Sequence, residues 1–298
     1  MKKRVFLIHL TIIVLAIGLF SYIFLGLDQL YKRNIFLGNA NDLSKKEFKS
    51  AKVEYGFVIK KIGFLGSELL HNSEEQFAAA SLIKLPILAA VFYAIEEEKV
   101  ALDDLITIQR KDITGGSGKI KALSLPRKFT FAQLLELMIA SSDNTATNKV
   151  IEILNFKYIN DIFKRIGLKG TTLTRKMMDF SQRSKGIENY TNSSDIAYIL
   201  EKIYKKQLVN RELSNLALSF LKKQKVNDRL PRYLPEGIVI AHKTGLERGV
   251  VHDAGIVFTP KGDYIICVLV KGCRSYSKAK KFIAQFSLLT YNLMNDKR

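Results

Sequence analysis

Apolar and polar positions alternate from Glu54 to Ile59, with Tyr55, Phe57 and Ile59 on one face, which predicts a strand. Gly63 and Gly66 punctuate a return strand toward Leu70. After Ala78-Ala79-Ala80 the apolar run Leu82–Glu98 reads as a buried helix. Pro86, near its start, removes one backbone donor and predicts an irregular first turn. Helical periods follow over Phe131–Ala140, Thr145–Leu154, Ile159–Ile166, Ser194–Tyr204 and Arg211–Lys223, with Thr114-Gly115-Gly116-Ser117-Gly118 as a flexible loop before them. The period then returns to strands at Gly237–Lys243, Val251–Thr259 and Tyr264–Lys271, the last two joined by a turn at Pro260–Asp263. An amphipathic helix, Ser277–Met294, closes the pattern. Strands from both ends and helices from the middle predict an α+β fold. It is a three-layer α/β/α sandwich: a five-stranded antiparallel sheet covered by helices, plus an all-helical lobe. A cleft is expected where the lobes meet.

The N-terminal pattern is different. Lys2-Lys3-Arg4 precedes 23 uncharged, mostly apolar residues, Val5 to Leu27. That is long for a cleaved signal, whose apolar core is about 7–15 residues, and close to the roughly 20 needed to span a bilayer. The basic flank stays inside, so the body lies outside the cell membrane as a single-pass, extracytoplasmic protein, or a secreted one if the anchor is cut. The expected organisation is an anchor over residues 1–27, a polar linker over 28–50 and a catalytic domain over 51–298.

A chain of 298 residues, 47% hydrophobic, can bury a sizeable core. Its net charge of +19 suits an acidic partner, nucleic acid, anionic lipid or an anionic cell wall, although a solvated lysine-rich surface is the simpler reading. The basic residues are scattered as pairs such as Lys45-Lys46 and Lys222-Lys223, without a reading helix or aromatic-interleaved sheet, so nucleic acid is not expected. Cys267 and Cys273 are six apart at an apolar strand, too distant to bridge within it. Four histidines lack metal-ligand spacing, so no metal or cofactor is expected, and a monomer is the simplest state.

Three short motifs carry the chemistry: Ser81-Leu82-Ile83-Lys84, Ser142-Asp143-Asn144 and Lys243-Thr244-Gly245. Each alone has an ordinary reading: a helix cap at Ser81, a second cap at Asp143, a strand end with a glycine turn at Gly245. The spacing Ser-x-x-Lys also recurs at Ser219, Ser275 and Ser277 in basic or helical stretches. Ser81 differs in following small residues and opening a long apolar helix. Together the motifs supply a nucleophile, a lysine to activate it, a serine relay and a cationic strand edge, a set suited to acyl transfer through a serine ester.

These motifs, separated by 61 and 101 residues, with Phe77–Ala80, Thr145–Asn148 and Ala241-His242 around them, resemble the class A branch of the serine β-lactamase and penicillin-binding protein families. The resemblance covers roughly residues 50–295. It implies that Ser81 becomes acylated, Lys84 is the near base and Ser142 passes a proton to the leaving nitrogen. Lys243 supplies positive potential, and Thr244 bonds the substrate carboxylate. The backbone N–H groups of Ser81 and Leu246, beside Gly245, would hold the oxyanion. Asn144 would position substrate or brace Lys84, and Asp143 would be structural.

One family feature is missing. Aligned on Arg175, the loop glutamate that positions deacylating water is Met177. Nearby, Asp179 is expected to brace Arg175, and Glu188 to be a solvated loop residue. The reading is therefore a serine hydrolase opening β-lactam amides, with slow deacylation. The alternative is a D-alanyl-D-alanine carboxypeptidase or transpeptidase acting on cell-wall stem peptides. A non-catalytic binding module is disfavoured by three intact motifs.

Overall fold

The computed structural model describes residues 30–31, 33–48, 52–63 and 68–295. The chain divides into two compact units, residues 1–46 and 47–298. Residues 33–47 are helical (α1), where a polar linker was expected. Phe36, Ala40, Leu43 and Glu47 recur at helical spacing and are buried or half-buried, a stripe that the mixed charge of this stretch hides. The anchor expected over residues 1–27 lies outside the described residues. Among those described, no helix is long and apolar enough to cross a membrane.

The second unit is built on one antiparallel sheet of five strands. These are β1 (Glu54–Lys61), β2 (Glu68–His71), β7 (Val239–Glu247), β8 (Val250–Phe258) and β9 (Tyr264–Lys271), in the order β2-β1-β9-β8-β7. The central strands β8 and β9 are buried along almost their whole length, which requires cover on both faces. On one face lies α9 (Tyr276–Asn295), whose Phe282 and Phe286 pack on Tyr55 and Phe57 at 5.2 and 4.8 Å between ring centroids. The other face carries the helical lobe: α2 (Lys84–Glu96), α3 (Phe131–Ala140), α4 (Asn144–Leu154), α5 (Phe156–Arg165), α6 (Phe180–Ser184), α7 (Ser193–Tyr204) and α8 (Arg211–Lys222). Two small pairs, β3 (Phe77–Ala78) with β6 (Tyr190–Thr191) and β4 (Leu105–Ile108) with β5 (Arg127–Thr130), complete it. The three-layer α+β architecture expected from the sequence is the one observed.

α2 is apolar around its circumference, with Leu85, Ile87, Leu88, Val91 and Phe92 fully buried. Burial of each such side chain contributes about 1.5–3 kcal/mol. That makes α2 the rigid mast of the lobe, and its first residue is Lys84.

Sheet register decides what faces the lobe. Residues paired across an antiparallel sheet share a face. Lys243 pairs with Ala254, Ala254 with Cys267 and Cys267 with Val58. Ala254, Cys267 and Val58 belong to the core under the helices, so Lys243 points into it as well. Cys267 and Cys273 are both free and buried.

Candidate active site

Ser81 lies in a 3-10 turn, Ala80–Ile83, that runs directly into α2 at Lys84. Residues three apart eclipse in such a turn, so it stacks Ser81 and Lys84 on one face. This also accounts for the irregular start expected before Pro86. Ala80 has a φ of +45°, a left-handed conformation costly for a residue with a Cβ. The preceding segment is pinned: the Ala79 N–H donates to the Asn189 carbonyl at 2.7 Å, and the Ala78 carbonyl accepts from His252 at 2.9 Å.

Lys84 and Lys243 are completely buried and meet at one oxygen. Lys84 Nζ lies 3.1 Å, and Lys243 Nζ 3.0 Å, from Ser142 Oγ. Lys84 Nζ also donates to the Ser142 carbonyl at 2.7 Å and to Asn144 Oδ1 at 2.8 Å. Burial, then the adjacent Lys243 charge, pushes the Lys84 pKa well down against a smaller opposing pull from Asp143. Burial lowers Lys243 to about 7, with Asp253 opposing and Arg229 reinforcing the shift. A neutral amine has two N–H donors and one lone pair. The carbonyl and amide oxygens take the donors of Lys84, which leaves its lone pair for a hydroxyl proton. Ser142 Oγ can thus accept from Lys243 while donating to Lys84.

A stability consequence follows. Unfolding returns Lys243 to its ordinary value of 10.5, so the unfolded chain binds more protons between pH 7 and 10.5. Stability must rise with pH across that window. In thermal unfolding compared with Lys243→Met, the difference should move in favour of the wild type from pH 7 toward pH 10. A flat difference would mean that Lys243 is not depressed.

The second motif is held by its own middle residue. Asp143 caps α4 through the Ala146 N–H at 3.0 Å and accepts from the Lys119 and Ile120 N–H groups at 2.6 and 2.9 Å. It thereby ties down the loop that begins at Thr114. Gly118 in that loop has a φ of +130°, and a Cβ there would lie 2.4 Å from Asp143 Oδ2. Asn144 Nδ2 donates to the Gly115 carbonyl at 2.9 Å, so one amide braces both Lys84 and the loop. The expected flexible loop is a fixed wall of the site.

The loop after Arg175 is where expectation and structure part. Asp179 does not brace Arg175. It caps α6 through the Gln182 N–H at 3.1 Å and accepts from Ser181 Oγ at 2.7 Å. Glu188 is not solvated. Its carboxylate meets Arg175 at 2.6 Å and Arg183 at 3.2 Å. Glu247, at the end of β7, completes the network, 2.8 Å from Arg175 and 2.9 Å from Arg183. Arg175 is 3% exposed, and a guanidinium so buried takes the two carboxylates that can reach it. Asp179 and Glu188, the carboxylates nearest to Met177 in the sequence, are thus engaged elsewhere. Met177 itself packs on the core, its backbone clamped by Asn148: N–H to Oδ1 at 2.8 Å, carbonyl from Nδ2 at 3.1 Å.

Lys243-Thr244-Gly245 does not end its strand as expected; β7 continues through it to Glu247. β7 is a sheet edge, so its outer backbone groups have no strand partner, and Leu246 is 44% exposed. Gly245 eases a close approach: a Cβ there would lie 3.1 Å from the His252 ring, tighter than usual, with the Ala79 carbonyl oxygen at an ordinary 3.5 Å.

The structure adds residues that the motifs did not flag. Asn148 is one helical turn beyond Asn144 and could have been found from that spacing. Arg229 is 1% exposed, with Nε and Nη1 lacking hydrogen-bond partners and Asp228 Oδ1 3.4 Å from Nη1. No local pattern marks it. Among the described residues, no cluster of His, Cys, Asp and Glu could hold a metal ion.

A five-stranded sheet backed by helices, with Ser81 opening the helix that begins at buried Lys84 and two buried lysines meeting at Ser142 Oγ, has the architecture of a serine acyl-transfer enzyme. The family model for the β-lactamase enzyme family matches residues 40–294, and the chain belongs to that family, with the fold of its class A members. A solved β-lactamase from Sphaerobacter thermophilus DSM 20745 is similar at a TM-score of 0.78 and 28% identity, covering 86% of this chain and 95% of that one. PBP-A, solved also as a point mutant in an acyl-enzyme complex with penicillin-G, is similar at 0.77 and 29%, covering 87% and 96%. A β-lactamase from Phocaeicola vulgatus is 26% identical over 246 residues, 75% of each chain.

Proposed function

We propose that this class A-type serine hydrolase is acylated at Ser81 by β-lactams and releases the product slowly. The observation that carries the reading is the pair of buried lysines on Ser142 Oγ. Neutral Lys84 takes the proton as Ser81 Oγ attacks the lactam carbonyl. The developing oxyanion lies between the N–H groups of Ser81 and Leu246. The proton passes through Ser142 Oγ to the lactam nitrogen as its bond to the carbonyl carbon breaks, leaving a Ser81 ester. Lys243 and Thr244 hold the substrate carboxylate, and Asn144 keeps Lys84 in place. Hydrolysis of the ester needs a placed base, and Met177 offers none.

A second reading, a carboxypeptidase or transpeptidase on cell-wall stem peptides, is favoured by Met177 alone. Location follows from the anchor over residues 1–27: an extracytoplasmic domain on the cell membrane, its basic surface facing an anionic wall. Resistance of the full chain to extraction from membranes by alkaline carbonate supports this placement; release into the soluble fraction excludes the anchor.

Intact-protein mass spectrometry with benzylpenicillin, followed over time beside Ser81→Ala, tests the chemistry. The expected result is a persistent one-to-one adduct on the wild type and none on the variant. No adduct on either overturns the reading. An adduct that vanishes within seconds overturns slow release.

A further inference from the structure

We infer that His252 is a positioning residue that sets the geometry of the oxyanion hole. The inference rests on the acyl-enzyme reading above and adds a residue that none of the motifs contains.

His252 lies on β8, opposite Gly245 of β7 and Leu269 of β9, and Leu269 in turn pairs with Gly56 of β1. This row of four crosses the sheet on the face toward the helical lobe. The segment leading to Ser81 lies directly over it. A Cβ at Gly56 would come within 3.0 Å of the Phe77 ring, and one at Gly245 within 3.5 Å of the Ala79 carbonyl oxygen. Gly56, at one end of the row, lets Phe77 sit close to the sheet; at the other end the close neighbour of Gly245 is the His252 ring, with Ala79 in ordinary contact. Between them His252 is the one polar side chain of the row. It packs edge-on to Phe77, with centroids 6.1 Å apart at 85°.

The imidazole touches both halves of the expected hole. Nε2 is 2.9 Å from the Ala78 carbonyl oxygen, three residues before Ser81. Its ring lies against Gly245, one residue before Leu246. The two N–H groups that would share the oxyanion therefore take their separation across one rigid ring. The tautomer is fixed as well: the Val270 N–H donates to Nδ1 at 3.2 Å, so Nε2 carries the proton given to Ala78. Burial holds the ring neutral, with its pKa lowered to about 4. Ala80, held at a φ of +45° between this anchor and Ser81, transmits the position of Ala78 to the nucleophile.

Oxyanion donors act through placement, and a misplacement of about 1 Å costs on the order of 100-fold. In His252→Leu the acylation rate by benzylpenicillin should fall by about 10–100-fold, while the dissociation constant of the non-covalent complex stays within a few-fold. The decisive readout is the infrared band of the Ser81 ester carbonyl, isolated with a carbon-13 label at the lactam carbonyl. In the wild type, two donors should pull it to low wavenumber as a single band. In His252→Leu it should rise or split.

If that variant does not fold, His252→Gln and His252→Asn decide. Glutamine can still donate to the Ala78 carbonyl, whereas asparagine is too short to reach it. The glutamine variant should keep more of the wild-type band and rate. An unshifted band in His252→Leu, or equal behaviour of the glutamine and asparagine variants, overturns the inference and leaves the acyl-enzyme reading standing. Absence of any ester band in the wild type overturns both.

Discussion

Met177→Glu should convert a persistent acyl-enzyme into one that turns over, with the deacylation rate rising by about 10²-fold or more, the lower range for a positioned general base. The backbone at 177 is already set by the Asn148 amide, which bonds both its N–H and its carbonyl. Asn148 and Asn144 are four residues apart on α4 and share a face, and Asn144 holds Lys84. The two amides thus link the 177 backbone and Lys84 through one face of α4. Glutamate is unbranched and close to methionine in length, so the loop need not be rebuilt. Following the benzylpenicillin adduct by mass spectrometry, its lifetime should shorten while its rate of formation changes little. An unchanged lifetime would place the deacylating water elsewhere. Asn148→Ala in the same background should undo most of the gain, because it frees the backbone that aims the carboxylate.

Lys84→Met should have an effect of the opposite kind, suppressing acylation by about 10³–10⁴-fold, the upper range for loss of a general base. Methionine fills the same volume without the lone pair. Among the described residues the other amine on Ser142 Oγ is Lys243, at 3.0 Å. Lys84→Met should also leave the fold at least as stable at neutral pH, because a group whose pKa is pushed well down is disfavoured in its charged form where it sits. Acylation kinetics and thermal unfolding of one variant therefore separate chemistry from folding. A variant that acylates at wild-type rate would move the base to another group. One that simply unfolds would show Lys84 to be a structural tie among Ser142, Asn144 and α2.

Most of the scaffold was legible because its elements carry strong local periods. α3 matches its expected boundaries, and α4, α5, α7, α8 and α9 begin or end within three residues of them. The three motifs were legible because spacing and flanks were both distinctive. What escaped was set by contacts distant in sequence. Arg175 chose Glu188 and Glu247 over Asp179, and Glu247 is 72 residues away. β7 was cut short at its motif because glycine reads as a turn. Here Gly245 makes room for the His252 ring. The position of His252 had a latent signal. Arg248-Gly249 forms a two-residue hairpin turn, Glu247 pairing with Val250, and counting back from it sets His252 opposite Gly245. Arg229 had no such signal, since its burial depends on a loop packed under β7 and β8.

The Asn148 clamp also bears on how this chain could change under selection by antibiotics. The architecture that would aim a hydrolytic carboxylate is already in place, so the distance to efficient hydrolysis is measured in codons. Methionine has a single codon, and both glutamate codons differ from it at two or more bases. The shortest routes pass through valine or lysine, neither of which provides a carboxylate to activate water. On the slow-release proposal neither intermediate would gain hydrolysis, which is a reason for a methionine to persist at a position whose backbone is already built for another residue.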